Sequence, residues 1–162
     1  MPPKYPLVAV GGTFDFLHEG HIHLLSKSFE IGEKVIIGVT SDNLARGKNH
    51  YVPPLNVRIE KLKSFLKDKG WLHRAEIVIL EDPYGPTITE REISAIIVSE
   101  ETLARALEIN RIRRSKLLPP LKVIVIPLVK DFDYRPISST KIRRNERHYI
   151  KFFNSNCSII VS

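Results

Sequence analysis

The sequence predicts an α/β fold: a doubly wound parallel sheet of five strands, with helices between them, in a single domain over residues 1–162. Three observations predict it. Five short apolar runs recur along the chain, near-continuous as in strands buried on both faces. Segments of helical periodicity separate them, which implies βαβ units. The length, 162 residues and 18.6 kDa, suits one domain with a sizeable core.

Pro6-Leu7-Val8-Ala9-Val10 reads as the first strand, short and partly β-branched. Ile22, Leu25 and Phe29 then fall at helical spacing. Gly32-Glu33 turns into a second strand over residues 34–40, and Ser41-Asp42 opens a polar segment running to His50. Pro53-Pro54 disfavours helix immediately before it. From Asn56, Val57, Ile59, Leu62, Phe65 and Leu66 alternate with charges as one helix, and Gly70 is a fitting stop.

Residues 75–80 read as strand three. After the loop 81–86, residues 87–92 are expected as a short helix, with Thr87 and Glu90 at capping-box spacing. Residues 95–98 make strand four, and Ser99-Glu100-Glu101-Thr102 opens a helix to about Lys116. Pro119-Pro120 ends it, and residues 121–127 form strand five. The apolar tail Cys157-Ser158-Ile159-Ile160-Val161 receives no assignment.

The chemistry concentrates at residues 11–21, where the first strand passes through a glycine-bearing turn into a helix. Exposed amides and the helix dipole there favour a bound phosphate. Gly11 and Gly12 let the chain leave the strand and a ligand approach the backbone. Gly20 leaves room for a large ligand over the turn. His18 and His21, three apart, share one helical face and can each donate to a phosphate oxygen. The zincin pattern fails, because it needs two histidines four apart. A metal set of His18, His21 and His23 would need His23 on the shared face, from which its spacing turns it away, so no metal site is expected. The dinucleotide fingerprint Gly-x-Gly-x-x-Gly is also absent.

Composition sets further bounds. No run of about 18 apolar residues exists, so no membrane span is expected, and no secretory leader is visible at the start. Cys157 is the lone cysteine, which excludes an internal disulfide and fits a reducing cytoplasm. The net charge is +7. Basic residues cluster at Arg111-Ile112-Arg113-Arg114-Ser115-Lys116 and Lys141-Ile142-Arg143-Arg144, without the interleaved aromatics that single-strand binding uses. Polyanionic small molecules are the expected partners rather than nucleic acid.

A second cradle lies downstream. Pro136, then Ser138, Ser139 and Thr140 before Lys141-Ile142-Arg143, read as a loop entering a helix, with hydroxyls, amides and Arg143 aimed at a phosphate.

Gly12-Thr13-Phe14-Asp15-Phe16-Leu17-His18-Glu19-Gly20-His21 resembles the G-T-F-D-x-x-H-x-G-H signature of the nucleotidyltransferase superfamily. Ile137-Ser138-Ser139-Thr140-Lys141-Ile142-Arg143 resembles that superfamily's I-S-S-T-x-I-R motif. Val98-Ser99-Glu100-Glu101-Thr102 and Ile109-Asn110-Arg111-Ile112-Arg113 resemble V-S-x-E-T and I-N-R-x-R of the archaeal and eukaryotic phosphopantetheine adenylyltransferases. The R-T-x-G-I-S-T pattern of cytidylyltransferases and archaeal FAD synthetases is missing. Bacterial phosphopantetheine enzymes carry threonine where this chain has His18.

The resemblance covers about residues 5–145 and implies a Rossmann-like nucleotidylyl transferase fold. The implied activity is adenylyl transfer from ATP to 4'-phosphopantetheine, giving dephospho-coenzyme A and pyrophosphate in coenzyme A biosynthesis in the cytoplasm, with coenzyme A as a further ligand. It implies His18 and His21 at the α- and β-phosphates, with Gly12, Thr13, Phe14 and Glu101 also at ATP. Ser138, Ser139, Thr140 and Arg143 would hold the β,γ-phosphates; Thr13, Phe14 and Lys48 would place the acceptor. Lys48 is the natural match for the family's loop lysine, with Arg46 as an alternative. Arg58 matches a family arginine or makes a helix-surface salt bridge. Mg²⁺ is expected mainly on the ATP phosphates. Other readings are a different acceptor (FMN, nicotinamide mononucleotide or a glycerol-phosphate type) and a non-catalytic nucleotide- or RNA-binding module.

Overall fold

The computed structural model describes residues 3–15, 17–48, 50–127, 150–153 and 158–161. Strands β1 (Tyr5–Gly12), β2 (Gly32–Thr40), β3 (Ala75–Leu80), β4 (Ala95–Ser99) and β5 (Lys122–Ile126) form the five parallel strands that the apolar runs predict. The C-terminal tail adds what periodicity left unassigned: β6 (Ile150–Phe153) and β7 (Ser158–Val161) pair with each other, and β7 runs antiparallel to β5. The sheet order is β3-β2-β1-β4-β5-β7-β6. The chain steps outward from β1 through β2 to β3, then returns to the other side of β1 as β4. Strand order therefore reverses between β1 and β4, and ligands of such sheets bind beyond the strand ends there.

Both faces of the sheet are covered, which is why the strands read as continuous apolar runs. Helices α1 (Glu19–Ile31) and α3 (Leu55–Lys69) lie on one face, where Leu25, Phe29, Leu62 and Leu66 pack with Val8, Val10, Val35, Ile37 and Ile97. Helix α4 (Leu103–Ser115) packs Leu103, Ala106 and Ile109 on Ala9, Ile96, Val98 and Val123 of the other face. Alternate residues of β1, such as Val8 and Ala9, thus enter opposite cores.

Several boundaries differ from expectation for physical reasons. The polar segment after β2 contains a short helix, α2 (Asp42–Ala45), because the Ser41 hydroxyl accepts from Leu44 N–H as its cap at 3.1 Å. Gly70, by contrast, ends α3 as expected, in the left-handed conformation, φ 76°. The helix expected over residues 87–92 is instead a 3₁₀ turn at Gly85–Ile88. The Asp82 carboxylate accepts from Tyr84 and Gly85 N–H, both at 2.8 Å, and starts the turn earlier. Those two amides hold the Asp82 carboxyl below its usual range. Helix α4 is likewise preceded by a 3₁₀ turn, Glu100–Thr102.

Two arginines are interior. Arg58 is 1% exposed and donates to the carbonyls of Pro53, Thr13 and Thr40 at 2.7–2.9 Å and to Asp42 Oδ1 at 2.9 Å. Arg113, fully buried, donates to the carbonyls of Pro119, Thr87 and Glu90 at 2.7–2.9 Å. Arg113 thereby stands inside a sequence cluster that reads as a basic surface, and it fastens the β3–β4 crossover to α4. Among the described residues no helix is long and apolar enough to cross a membrane.

Candidate active site

Strand β1 delivers the chain to the turn at the reversal of strand order. Thr13 is buried, and its carbonyl is fixed by Arg58 at 2.9 Å. Phe14 follows with φ 51°, a left-handed conformation uncommon for an aromatic residue. That backbone turns the Phe14 ring into the core, 2% exposed, with its centroid 5.0 Å from the His21 ring. The ring braces His21 from below.

Residue His18 caps α1. Its Nδ1 accepts from Gly20 N–H at 3.0 Å, so the neutral ring carries its proton on Nε2, the nitrogen left to donate outward. The His18 and His21 rings stack at 4.0 Å between centroids and 21° between planes. The three-residue spacing thus brings the two imidazoles together at a helix N-terminus, a place suited to developing negative charge. Gly20 serves this pair more than a ligand's bulk: a Cβ there would stand 2.8 Å from His18 Cε1.

These groups open on a cleft of about 750 Å³ beyond the ends of β1 and β4. Of the residues singled out in the sequence, Gly12, Thr13, His18, Gly20, His21, Lys48 and Glu101 all line it. Phe14 does not line it, because its ring is turned into the core. Ser138, Ser139, Thr140 and Arg143 lie outside the described residues. Arg58 is not on the helix surface; it is the buried clamp between the turn after β1 and the end of β2. Arg46 lines a neighbouring recess with Lys48, and only Lys48 of the two also reaches the cleft.

Residue His23 is placed away from the pair. Burial, with Lys27 beside it, lowers its pKa, partly offset by Glu30. Among the described residues no three His, Cys, Asp or Glu side chains are grouped to hold a metal.

The site also contains groups that sequence reasoning passed over. Asp15 and His50 line the cleft and meet at 2.5 Å. Opposite the histidine pair, the Tyr84 hydroxyl donates to Glu108 Oε1 and the Arg105 guanidinium stands 5.5 Å over the Tyr84 ring, forming the far wall. The Glu108 carboxylate holds the Tyr84 phenol above its ordinary pKa. Asp15 sits within the signature, but nothing in the sequence pairs it with a loop histidine 35 residues away.

With this geometry in hand, comparison with known proteins is decisive. The model of the family described as cytidylyltransferase-like matches residues 9–145. The chain belongs to this family. Relatives named phosphopantetheine adenylyltransferase include one from Methanothermobacter thermautotrophicus, 48% identical over 146 residues, 90% of this chain and 88% of that protein. Another, from Methanopyrus kandleri, is 49% identical over 142 residues, 86% and 90% of the two chains. A solved structure from Archaeoglobus fulgidus, described as a protein with unknown function, matches with TM-score 0.71 at 34% identity, covering 76% of this chain and 91% of that one.

Within this cytidylyltransferase-like chain, the two motifs downstream of β4 have visible structural work. In Val98-Ser99-Glu100-Glu101-Thr102, Ser99 N–H donates to Thr102 Oγ1 at 3.1 Å, closing a cap that presents Glu101 to the cleft. In Ile109-Asn110-Arg111-Ile112-Arg113, Asn110 exchanges two hydrogen bonds with the Leu121 backbone, 2.9 and 2.7 Å, while Arg113 takes the carbonyls named above. Both residues position α4 rather than a ligand.

Proposed function

We propose that this protein transfers the adenylyl group of ATP to 4'-phosphopantetheine, giving dephospho-coenzyme A and pyrophosphate, as a cytoplasmic step of coenzyme A biosynthesis. One observation carries the reading: the stacked His18–His21 pair at the α1 N-terminus, on a cleft that also holds Lys48. The relatives' shared name supports the acceptor.

An oxygen of the acceptor's phosphate attacks the α-phosphorus of ATP. The new P–O bond forms as the bond from the α-phosphorus to the bridging oxygen breaks, and pyrophosphate leaves with that electron pair. The nucleophile is already anionic, so no protein nucleophile is required. Catalysis consists of holding two mutually repelling anions together and neutralising charge at the α-phosphate. His18 Nε2–H and His21 donate to the α- and β-phosphate oxygens, Lys48 holds the acceptor phosphate, and Thr13 and the Phe14 backbone place it. Glu101, with Ser138, Ser139, Thr140 and Arg143, completes the ATP subsite. Magnesium would be carried mainly by the ATP phosphates, whose charge it would help to neutralise.

The test offers purified protein ATP and CTP in competition, with 4'-phosphopantetheine, FMN and nicotinamide mononucleotide as alternative acceptors, and identifies products by mass. Dephospho-coenzyme A formed from ATP is the expected result. Preference for CTP, or transfer to another acceptor instead, overturns the reading.

A further inference from the structure

We infer that His50 is a positioning residue: its contact with Asp15 straps the segment between α2 and α3 across the mouth of the cleft and fixes Lys48 over the acceptor's phosphate. The inference rests on the reading of the site proposed above.

No helix or strand occurs among the described residues of this segment, 46–54. Its ends are fixed. At one end α2 is capped by Ser41, and Lys48 N–H donates to the Ala45 carbonyl at 3.1 Å. At the other, Arg58 Nε donates to the Pro53 carbonyl at 2.8 Å. Beyond these bonds, burial holds neither the Lys48 side chain, which is exposed, nor the middle of the segment, where the His50 side chain is 53% exposed and Tyr51 is 72% exposed. His50 Nε2 reaches Asp15 Oδ2 at 2.5 Å, on the very turn that carries Thr13 and His18.

The two ends of this contact differ usefully. The Asp15 side chain is only 14% exposed and belongs to a turn already clamped by Arg58 through Thr13, so it is the fixed post. His50, whose side chain is the more exposed of the two, is the partner that the post holds. To donate to a carboxylate its Nε2 must carry the proton, which holds for the cationic ring and for one neutral tautomer. Lys48 and His50 both line the main cleft and the adjoining recess of about 330 Å³. They therefore stand on the ridge between the two hollows. A lysine on an untethered loop loses much rotamer and backbone freedom when it engages a phosphate; the strap removes part of that cost before the ligand arrives.

Steady-state kinetics with ATP and 4'-phosphopantetheine test this. His50→Ala is expected to lower kcat/KM for the acceptor about 10-fold, well within what misplacing a binding group costs, while KM for ATP and the melting temperature hold. His50→Gln, whose amide nitrogen can replace Nε2 as donor, is expected to keep most of the activity. Adding His50→Ala to Lys48→Ala should bring no further loss, because His50 acts through Lys48. The strap is overturned if His50→Ala stays within about two-fold of wild type, or if its loss multiplies with that of Lys48→Ala. Wild-type turnover is the control. Its absence removes the functional reading and the strap together, whereas normal wild-type turnover with an unaffected His50→Ala removes the strap alone.

Discussion

Arg58 does not line the cleft, yet it ties together the segments that build it. Its guanidinium joins the turn after β1, the end of β2, the start of α2 and the approach to α3 through Thr13, Thr40, Asp42 and Pro53. Replacing it with methionine keeps bulk but leaves three carbonyls without donors. Each buried unsatisfied group costs roughly 1–3 kcal/mol, so Arg58→Met should destabilise the fold by about 3 kcal/mol, read from the urea midpoint. Arg58→Lys should not restore it, since an ammonium cannot reproduce the planar fork. A loss under about 1 kcal/mol for Arg58→Met would contradict this role, because it would equal a single ordinary hydrogen bond. From sequence alone Arg58 reads either as a match to a family arginine or as half of a helix-surface salt bridge, and Arg113 as part of a basic cluster. The reason is that burial of an arginine is set by carbonyls brought from distant segments, and periodicity does not register those.

At the scale of elements, the turn from β1 into α1 was legible because its chemistry is local. Strand, glycine, cap and two histidines three apart all lie within one short stretch, so the meeting of the rings follows from the first turn of α1 and the His18 cap. What local reasoning missed there was conformational: the left-handed backbone that buries Phe14, and the use of Gly20 to make room for the His18 ring. Gly20→Ala tests the latter. A Cβ would stand 2.8 Å from Cε1 and 3.0 Å from Nδ1, so the ring must swing out of the cap. Losing a cap costs about 1 kcal/mol, and alanine for glycine in a helix returns about the same. Thermal unfolding should thus stay close to wild type while kcat falls about 10-fold or more, since a displaced donor no longer meets the phosphate. Equal activity in both proteins would show that the His18 orientation is immaterial. The strands were read nearly to the residue, as β3 shows, because burial on both faces leaves continuous apolar runs. The β3–β4 crossover was not, because its 3₁₀ turn depends on the Asp82 carboxylate and on carbonyls gripped by Arg113.

For the whole molecule, the sequence predicted five parallel strands and a site at the head of the first. It did not supply the order β3-β2-β1-β4-β5-β7-β6, which depends on contacts between residues far apart in the chain. That order explains why the site works as a unit. The reversal at β1 sets the His18–His21 pair, Lys48 from beyond β2 and Glu101 from beyond β4 around one cleft. The tail over Ser158–Val161 covers the outer side of β5 as an antiparallel strand, shielding an edge that would otherwise be open to pairing. Asn154-Ser155-Asn156 before it is turn-type sequence, but a four-residue apolar strand gives too little pattern to assign its pairing.

The measurement that bears most directly on adenylyl transfer at this cleft is pyrophosphate release by wild type and His21→Ala, each with ATP and magnesium, with and without 4'-phosphopantetheine. Wild type should release pyrophosphate only when the acceptor is present. His21→Ala, with an unchanged circular-dichroism spectrum, should be slower by about 10²–10³, as when one charge-stabilising donor is lost. Acceptor-independent release by wild type, or near-normal turnover by a folded His21→Ala, would contradict the assignment of this chemistry to the histidine pair.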